Sequence, residues 1–416
     1  MRRLRAIPWL IVLGCACPVG VGAQSQAQLS TQNARPTASS SNESIMVGPF
    51  LFSPSIQISW QHRDNIFFTP DNEVADQVFQ AGATLLFEVP INESFIHFSY
   101  SPLYTDYRTY DLEDKWSHFF DVGGTFTFAS GLVVDATYNY IIGNLQTRYV
   151  DEGGELYYGD PHFKKQFAGI GVQYWFTHRD GVFIEAGWTD LNNSDPTLFY
   201  DYTRTAAGLG WIHQLGPNTT MDVRYLRSDF DAHDTEYSSN GFRDSVSDEV
   251  TLGLEGQLSP VVGTGIRVGY LGIQYDLQPG DPPISDFKGF IVSGFFDWSL
   301  GHGSVVRLEL LRSPYPSNYA DNANYVATGG ALRYNIDRGS IYASASGGFQ
   351  NNDYELPDPQ TGQFRSDDIL TLGLGLGYRL THYFSLWGSY VYEDRDSLYQ
   401  YSYTTNIFTL GLILGF

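Results

Sequence analysis

Fourteen charged side chains carry most of the chemistry that this sequence offers. Glu88, Asp121, Asp135 and Glu185 come early, and Arg204, Arg224, Arg267, Arg307, Arg333 and Arg379 come later, with Asp222, Glu255, Asp297 and Glu309 among them. Each falls in a stretch whose apolar residues recur at every second position, and each occupies the opposite face. Held in water, an acidic wall facing a basic or ion-paired wall sets up a transverse field that orients polar solutes and disfavours apolar ones. The same side chains can instead staple neighbouring strands, as Arg307 and Glu309 could, and the sequence favours neither role.

Other chemistry finds less support. Ser99, His97 and Asp121 could be assembled into a nucleophile, base and acid, but a face rich in Ser, Thr, Asn and His yields such sets by chance, so no enzyme is expected. Asp190 to Asp195 and Asp229 to Asp234 gather carboxylates and amides without the spacing or closing Glu of a calcium loop. The nine histidines are scattered without metal spacing. Gly373, Gly375 and Gly377 alternate with leucines and precede no helix, so they form no nucleotide loop; on the inner face they would permit curvature or the close approach of a loop. No metal and no cofactor is expected.

The elements that must position these residues are strands. Phe79, Ala81, Ala83, Leu85, Phe87 and Val89 share one face, as do Leu132, Val134, Ala136, Tyr138 and Tyr140, and Leu370, Leu372, Leu374, Leu376 and Tyr378. Such segments recur about every twenty residues, and with the first and last they number about eighteen. Short connections at Ile91 to Glu93, Ala129 to Gly131, Gly216 to Asn218, Ser259-Pro260, Gly301 to Gly303, Ile336 to Gly339 and Thr381-His382 alternate with long ones. The long ones are Arg63 to Ala75, Ile141 to His162, Ser228 to Asp244, Gln278 to Asp286 and Gln350 to Ser366. The chain ends in YSYTTNIFTLGLILGF, where Phe408, Leu410, Leu412, Leu414 and Phe416 form one apolar face that runs to the last residue. A strand that ends so must be closed by pairing with the first, because lipid satisfies no backbone group. This predicts an all-β, transmembrane, antiparallel up-and-down β-barrel of about eighteen strands, with short periplasmic turns and long acidic outer loops. A solenoid or propeller would repeat a sequence motif, and none is found.

The start of the chain fits export. Arg2, Arg3 and Arg5 precede an apolar run from Ile7 to Leu13, and Val21-Gly22-Ala23 supplies small residues for cleavage, so residues 1–23 read as a signal peptide. Val12-Leu13-Gly14-Cys15 also resembles a lipoprotein signal, which would retain Cys15 as a lipidated first residue. Both cysteines, Cys15 and Cys17, lie in this segment, so no disulfide framework is expected. Residues 24–47 read as a flexible periplasmic lead and 48–416 as the barrel. There are 24 Lys plus Arg against 46 Asp plus Glu, and removing three signal arginines leaves 21 against 46, a net charge of minus 25. So acidic a chain argues against nucleic acid as a partner. The expected partners are outer-membrane lipid and lipopolysaccharide, and the barrel-assembly machinery that reads the terminal strand.

Gly48-Pro49-Phe50, Pro54-Ser55 and Asp64-Asn65-Ile66-Phe67-Phe68-Thr69-Pro70 together resemble the beginning of the outer-membrane β-barrel porins of the second type. The resemblance implies an outer-membrane barrel associated with exopolysaccharide or capsule export, with periplasmic polysaccharide-export proteins and a glycan as further partners. Arg63 stands where that pattern carries an acidic residue, which weakens any metal role for the pair. The acidic balance favours a neutral or cationic glycan. A general diffusion porin, or a structural or adhesion barrel acting through its outer loops, fits the same pattern.

Overall fold

The computed structural model describes residues 45–415 except 111–114, 145–154, 156–161, 195–198, 235–240, 282, 318–321, 359–360 and 399–400. The signal peptide, Cys15, most of the lead and Phe416 lie outside the described residues.

A short strand β1 (Ile45–Val47) precedes eighteen long ones: β2 (Phe50–Arg63), β3 (Asp76–Ile91), β4 (Ser94–Tyr107), β5 (Lys115–Thr127), β6 (Leu132–Asn144), β7 (His162–Trp175), β8 (Asp180–Asn193), β9 (Tyr202–Gly216) and β10 (Thr219–Ala232). They continue with β11 (Ser245–Ser259), β12 (Val262–Tyr275), β13 (Phe287–Gly301), β14 (Ser304–Pro316), β15 (Asn324–Arg338), β16 (Ile341–Pro357), β17 (Phe364–Arg379), β18 (Phe384–Asp396) and β19 (Tyr403–Gly415). Each pairs antiparallel with its successor, and β19 closes on β2 through Ile58 opposite Leu412 and Trp60 opposite Leu410. Closure leaves no unpaired edge among the long strands, which is the condition for standing in hydrocarbon.

The apolar face read from the sequence faces outward. Leu374, Leu376, Ile184, Leu410 and Leu209 are among the most exposed large side chains, and Phe408, Leu412 and Leu414 are exposed as well. Such a surface would aggregate in water and is at home in lipid.

Residues expected in the lead also form strand, because β1 folds back on Phe50 to Phe52. Gly48, with φ of 65°, turns the chain there in a conformation that costs glycine least. Four strands also outrun their expected limits, among them β6, which continues to Asn144 inside the connection expected from Ile141. Most of Gln350 to Ser366 is strand, since β16 continues to Pro357 and β17 starts at Phe364, while β10 continues to Ala232. These outer extensions need no apolar outward face, so a sequence reading takes them for loop. Finally, Gly377 admits a side chain and not a loop, because a Cβ there would lie 2.0 Å from Tyr342 Cζ. The same device recurs where Trp387 lies over Gly411 and Phe183 over Gly210.

The Asp64 to Pro70 motif works at the closing seam. Asp64 accepts hydrogen bonds from the Asn406 backbone N–H at 2.7 Å and its Nδ2 at 2.6 Å, clamping the outer end of β2 to β19. Asn65, 1% exposed, donates to Thr69 O at 2.8 Å and Thr404 O at 3.2 Å, and accepts from Thr69 N at 3.0 Å. Ile66 packs with Val78 and Tyr107. Phe68 is held at φ of 53°, with its ring edge against Tyr403. A non-glycine residue there costs roughly 1 kcal/mol, which the amide bonds of Asn65 offset.

Candidate functional site: the charged interior and the outer mouth

All fourteen predicted charged residues occupy inward positions of their strands, and their arrangement is uneven. On β3 to β6, Glu88 stands opposite His97. His97 Nε2 lies 2.6 Å from Asp121 Oδ1, and Asn139 donates to Asp121 Oδ2. Asp135 accepts from Thr125 Oγ1 at 2.5 Å. Among the described residues no guanidinium contacts Glu88, Asp121 or Asp135, so these carboxylates lack the clamps found on the other strands. Glu88 and Asp135 sit towards the short-turn end, three residues from Ile91 and Leu132, while Asp121 is at the middle of β5.

On the rest of the circumference four of the six predicted arginines are clamped by carboxylates. Arg267 takes both oxygens of Asp222 across two strands, at 2.7 and 3.0 Å. Arg224 lies 2.5 Å from Glu249 and 3.5 Å from Glu185, all of them buried. Arg307 grips Asp297 on β13 at 2.7 and 2.6 Å and stands 4.0 Å from Glu309 on its own strand. Arg379 takes both oxygens of Asp337 at 2.7 and 2.6 Å. Arg204 donates to Ser228 at 3.3 Å, Arg333 stands opposite Arg307, and Glu255 stands opposite Gly265. Each two-pronged pair ties strands together and removes a cation from the field.

Sequence reasoning missed Glu249, Asp337, Arg365, Asp367, Glu393 and Arg395. Asp337, Glu393 and Arg395 were accessible through period two, and Glu249 through its neighbour Val250. Arg365 sat inside an expected loop and Asp367 at its edge. Asp367 is fully buried, with Arg365 at 2.7 and 2.9 Å and Arg395 at 2.8 Å, and the Arg365 guanidinium is sandwiched between the Tyr354 and Tyr401 rings.

Of the chance set, Ser99 lies across the ladder from Asp121 and makes no hydrogen bond to His97, so the three do not form a relay.

Described residues of several outer connections bond one another. Tyr200, between β8 and β9, donates from Oη to Ser317 O at 2.5 Å, and Ser317 Oγ donates to Glu155 Oε1 at 2.6 Å. Arg243, in a single 3-10 turn between β10 and β11, donates from Nε to Asn322 O at 2.8 Å with its guanidinium over the Tyr200 ring. Asn322 exchanges two hydrogen bonds of 3.2 Å with Leu356. Phe242, Ile284, Ala323 and Leu356 pack into one apolar cluster under these contacts. Burial pushes the Tyr200 phenol far above its ordinary value, against the pull of Arg243, so it remains a donor at any physiological pH.

Neutralising the acidic wall tests its electrostatic weight. The triple variant Glu88→Gln, Asp121→Asn, Asp135→Asn is expected to lower the cation-to-anion permeability ratio by roughly threefold or more, read from reversal potentials in a salt gradient. An unchanged ratio would mean that the wall is screened or out of the ion path.

Comparison with known proteins gives one family and one architecture. A family model described as Putative beta-barrel porin 2 matches residues 42–416. No curated protein matches the sequence. Among solved structures, OccAB3 of Acinetobacter baumannii is 11% identical over 89% of this chain and 100% of its own, with a TM-score of 0.50. The outer membrane protein OpdK of Pseudomonas aeruginosa is 10% identical over 88% and 99%, with a TM-score of 0.47. OpdQ of the same organism is 11% identical over 89% and 100%, also with a TM-score of 0.47. At such identity OccAB3 speaks for the fold alone.

Proposed function

Because this chain belongs to the β-barrel porin 2 family and so is a porin-like outer-membrane channel, we propose that it passes hydrophilic solutes passively, a neutral or cationic glycan of the exopolysaccharide or capsule kind among them. The observation that carries the reading is the inner face, where every predicted charge points inward while the outward face is apolar. Water is then the natural content of the interior, and a hydroxylated solute exchanges its hydration for side-chain hydrogen bonds at little net cost. With Glu88, Asp121 and Asp135 unneutralised, a polyanion is the least suited cargo. The inward tyrosines Tyr202, Tyr315 and Tyr354 are buried against other rings, so hydrogen bonding and not ring stacking on these three would hold a sugar in the interior. No energy input from the barrel is needed; periplasmic export proteins would deliver the polymer.

A second reading, a diffusion porin for small solutes, is favoured by one specific observation: Glu155 and Tyr200, in two outer connections, both bond Ser317 of a third, contacts that would hinder a polymer leaving at that end. Single-channel conductance of the refolded protein with added oligosaccharides separates the two. Transient block by a neutral oligosaccharide of several rings supports glycan export, and indifference to every glycan supports small-solute diffusion.

A further inference from the structure

We infer that a recess in the inner wall of the barrel, lined by Thr189, Arg204, Ser228, Ser245 and Ser247, is a binding site for a neutral oligosaccharide of two or more rings. The inference rests on the reading of the barrel as a channel for hydroxylated solutes and adds where, and by which side chains, such a solute is held.

The recess lies in the outer half of the interior, walled by inward side chains of β8 to β12 and completed by the outer ends of β14 and β15. Register explains its position. Two rows of inward residues cross these strands at neighbouring levels. In the outer row Thr189 stands opposite Arg204, Arg204 opposite Phe230, and Phe230 opposite Ser245. In the row beneath, Gly187 stands opposite Ala206, Ala206 opposite Ser228, Ser228 opposite Ser247, and Ser247 opposite Ile273. The small residues of the second row leave a hollow below the larger side chains of the first. It measures about 1000 Å³ when the part open to the lumen is counted, at the upper end of the roughly 300–1,000 Å³ usual for small-molecule sites.

The chemistry of the recess selects its ligand. The hydroxyls of Thr189, Ser245 and Ser247 hydrogen-bond no described residue. Ser228 Oγ accepts from Arg204 Nη2 at 3.3 Å and keeps its own proton to donate. Such hydroxyls are satisfied by water, and a ligand that bears hydroxyls replaces each water without losing hydrogen bonds. Three ladder steps of about 4.8 Å separate Thr189 from Ser245, a span of roughly 14 Å. One sugar ring does not bridge it, and two linked rings do. Between the hydroxyls, Phe230 and Ile273 offer apolar surface to ring C–H groups. The charges around the recess are already matched: Glu249 holds Arg224 at 2.5 Å, and Arg243 donates to Asn322 O at 2.8 Å. A ligand therefore needs no charge of its own.

Calorimetric titration of the protein refolded in detergent from residue 24 onward tests the site without requiring conduction. The probes are cellobiose and diacetylchitobiose, with glucose as the one-ring control and digalacturonate as the charged one. At least one neutral disaccharide should bind once per barrel, about tenfold or more tighter than either control. The variant Ser245→Ala with Ser247→Ala removes two hydroxyls and should weaken that binding about tenfold. Ser247→Leu, which fills the hollow, should abolish it, and both variants should keep the heat-dependent gel migration of the native barrel. Absence of binding by both neutral disaccharides, or binding that survives both variants in folded barrels, overturns the site. Tighter binding of digalacturonate overturns its assignment to a neutral ligand. Planar-bilayer recording separates the site from the channel reading. Steady conductance without binding overturns the site and leaves the channel standing, whereas binding without conductance supports the site and overturns the channel.

Discussion

Replacing Asp367 with alanine is expected to cost the barrel about 3–5 kcal/mol, the largest single-site loss in the molecule. The carboxylate is fully buried and holds two guanidiniums, Arg365 at 2.7 Å and Arg395 at 2.8 Å, which are themselves 5% and 3% exposed. Removing it leaves two like charges close together in a place that water scarcely reaches. Repulsion then adds to the lost pairing. The measurement is denaturant unfolding of the folded barrel, followed by its heat-dependent migration on a gel. A loss below about 1 kcal/mol would show that solvent already screens the cluster. The variant Arg395→Met with Asp367→Ala should recover part of the loss, because one uncompensated cation is gone; no recovery would assign the loss to packing alone.

The second large effect is expected at the seam. Asn65→Ala deletes three hydrogen bonds of a buried amide and leaves the Thr69 N–H and Thr404 C=O without that partner, a loss of roughly 2–3 kcal/mol. The position matters because β2 and β19 are the two ends of the barrel, joined by their ladder and by the contacts of this motif. Phe68 should also relax, since its left-handed backbone is held between Asn65 and Tyr403. Hydrogen exchange at the amides of β19 should quicken more than at β10. Uniform quickening around the barrel would contradict a local role for the clasp.

How much of this was legible in the sequence follows from what each surface must satisfy. Lipid demands an apolar residue at every second position, so the outward set from Phe79 to Leu414 could be read directly, and the inward charges followed by parity. Pairing was less legible. Arg307 and Glu309 are two residues apart and invite a match, but they lie on one strand, and the close partner is Asp297 across the ladder. Which residues oppose one another depends on register, and register depends on turn geometry that a single sequence expresses weakly. The Gln350 to Ser366 stretch was misread because, above the membrane, a strand loses its apolar face and keeps only its inward one, here Asn352, Tyr354 and Arg365. The meeting of Glu155 with Ser317 leaves no trace in local pattern at all. It joins positions 162 residues apart, in two connections that are polar like the others.

The motif at Asp64 to Pro70 is an instructive case. Its residue types suggest an acidic site, and the structure employs the carboxylate and amide as acceptor and donor for the last strand. An isolated reading of the motif could not reveal that, because its partner, Asn406, is 342 residues away.

The central claim is that the charged inner face surrounds water through which ions and polar solutes move. Single-channel recording of the refolded barrel in a planar bilayer tests it most directly. The account predicts steady, ohmic steps whose reversal potential in a salt gradient shows preference for cations. A correctly folded barrel that gives no steps would contradict it.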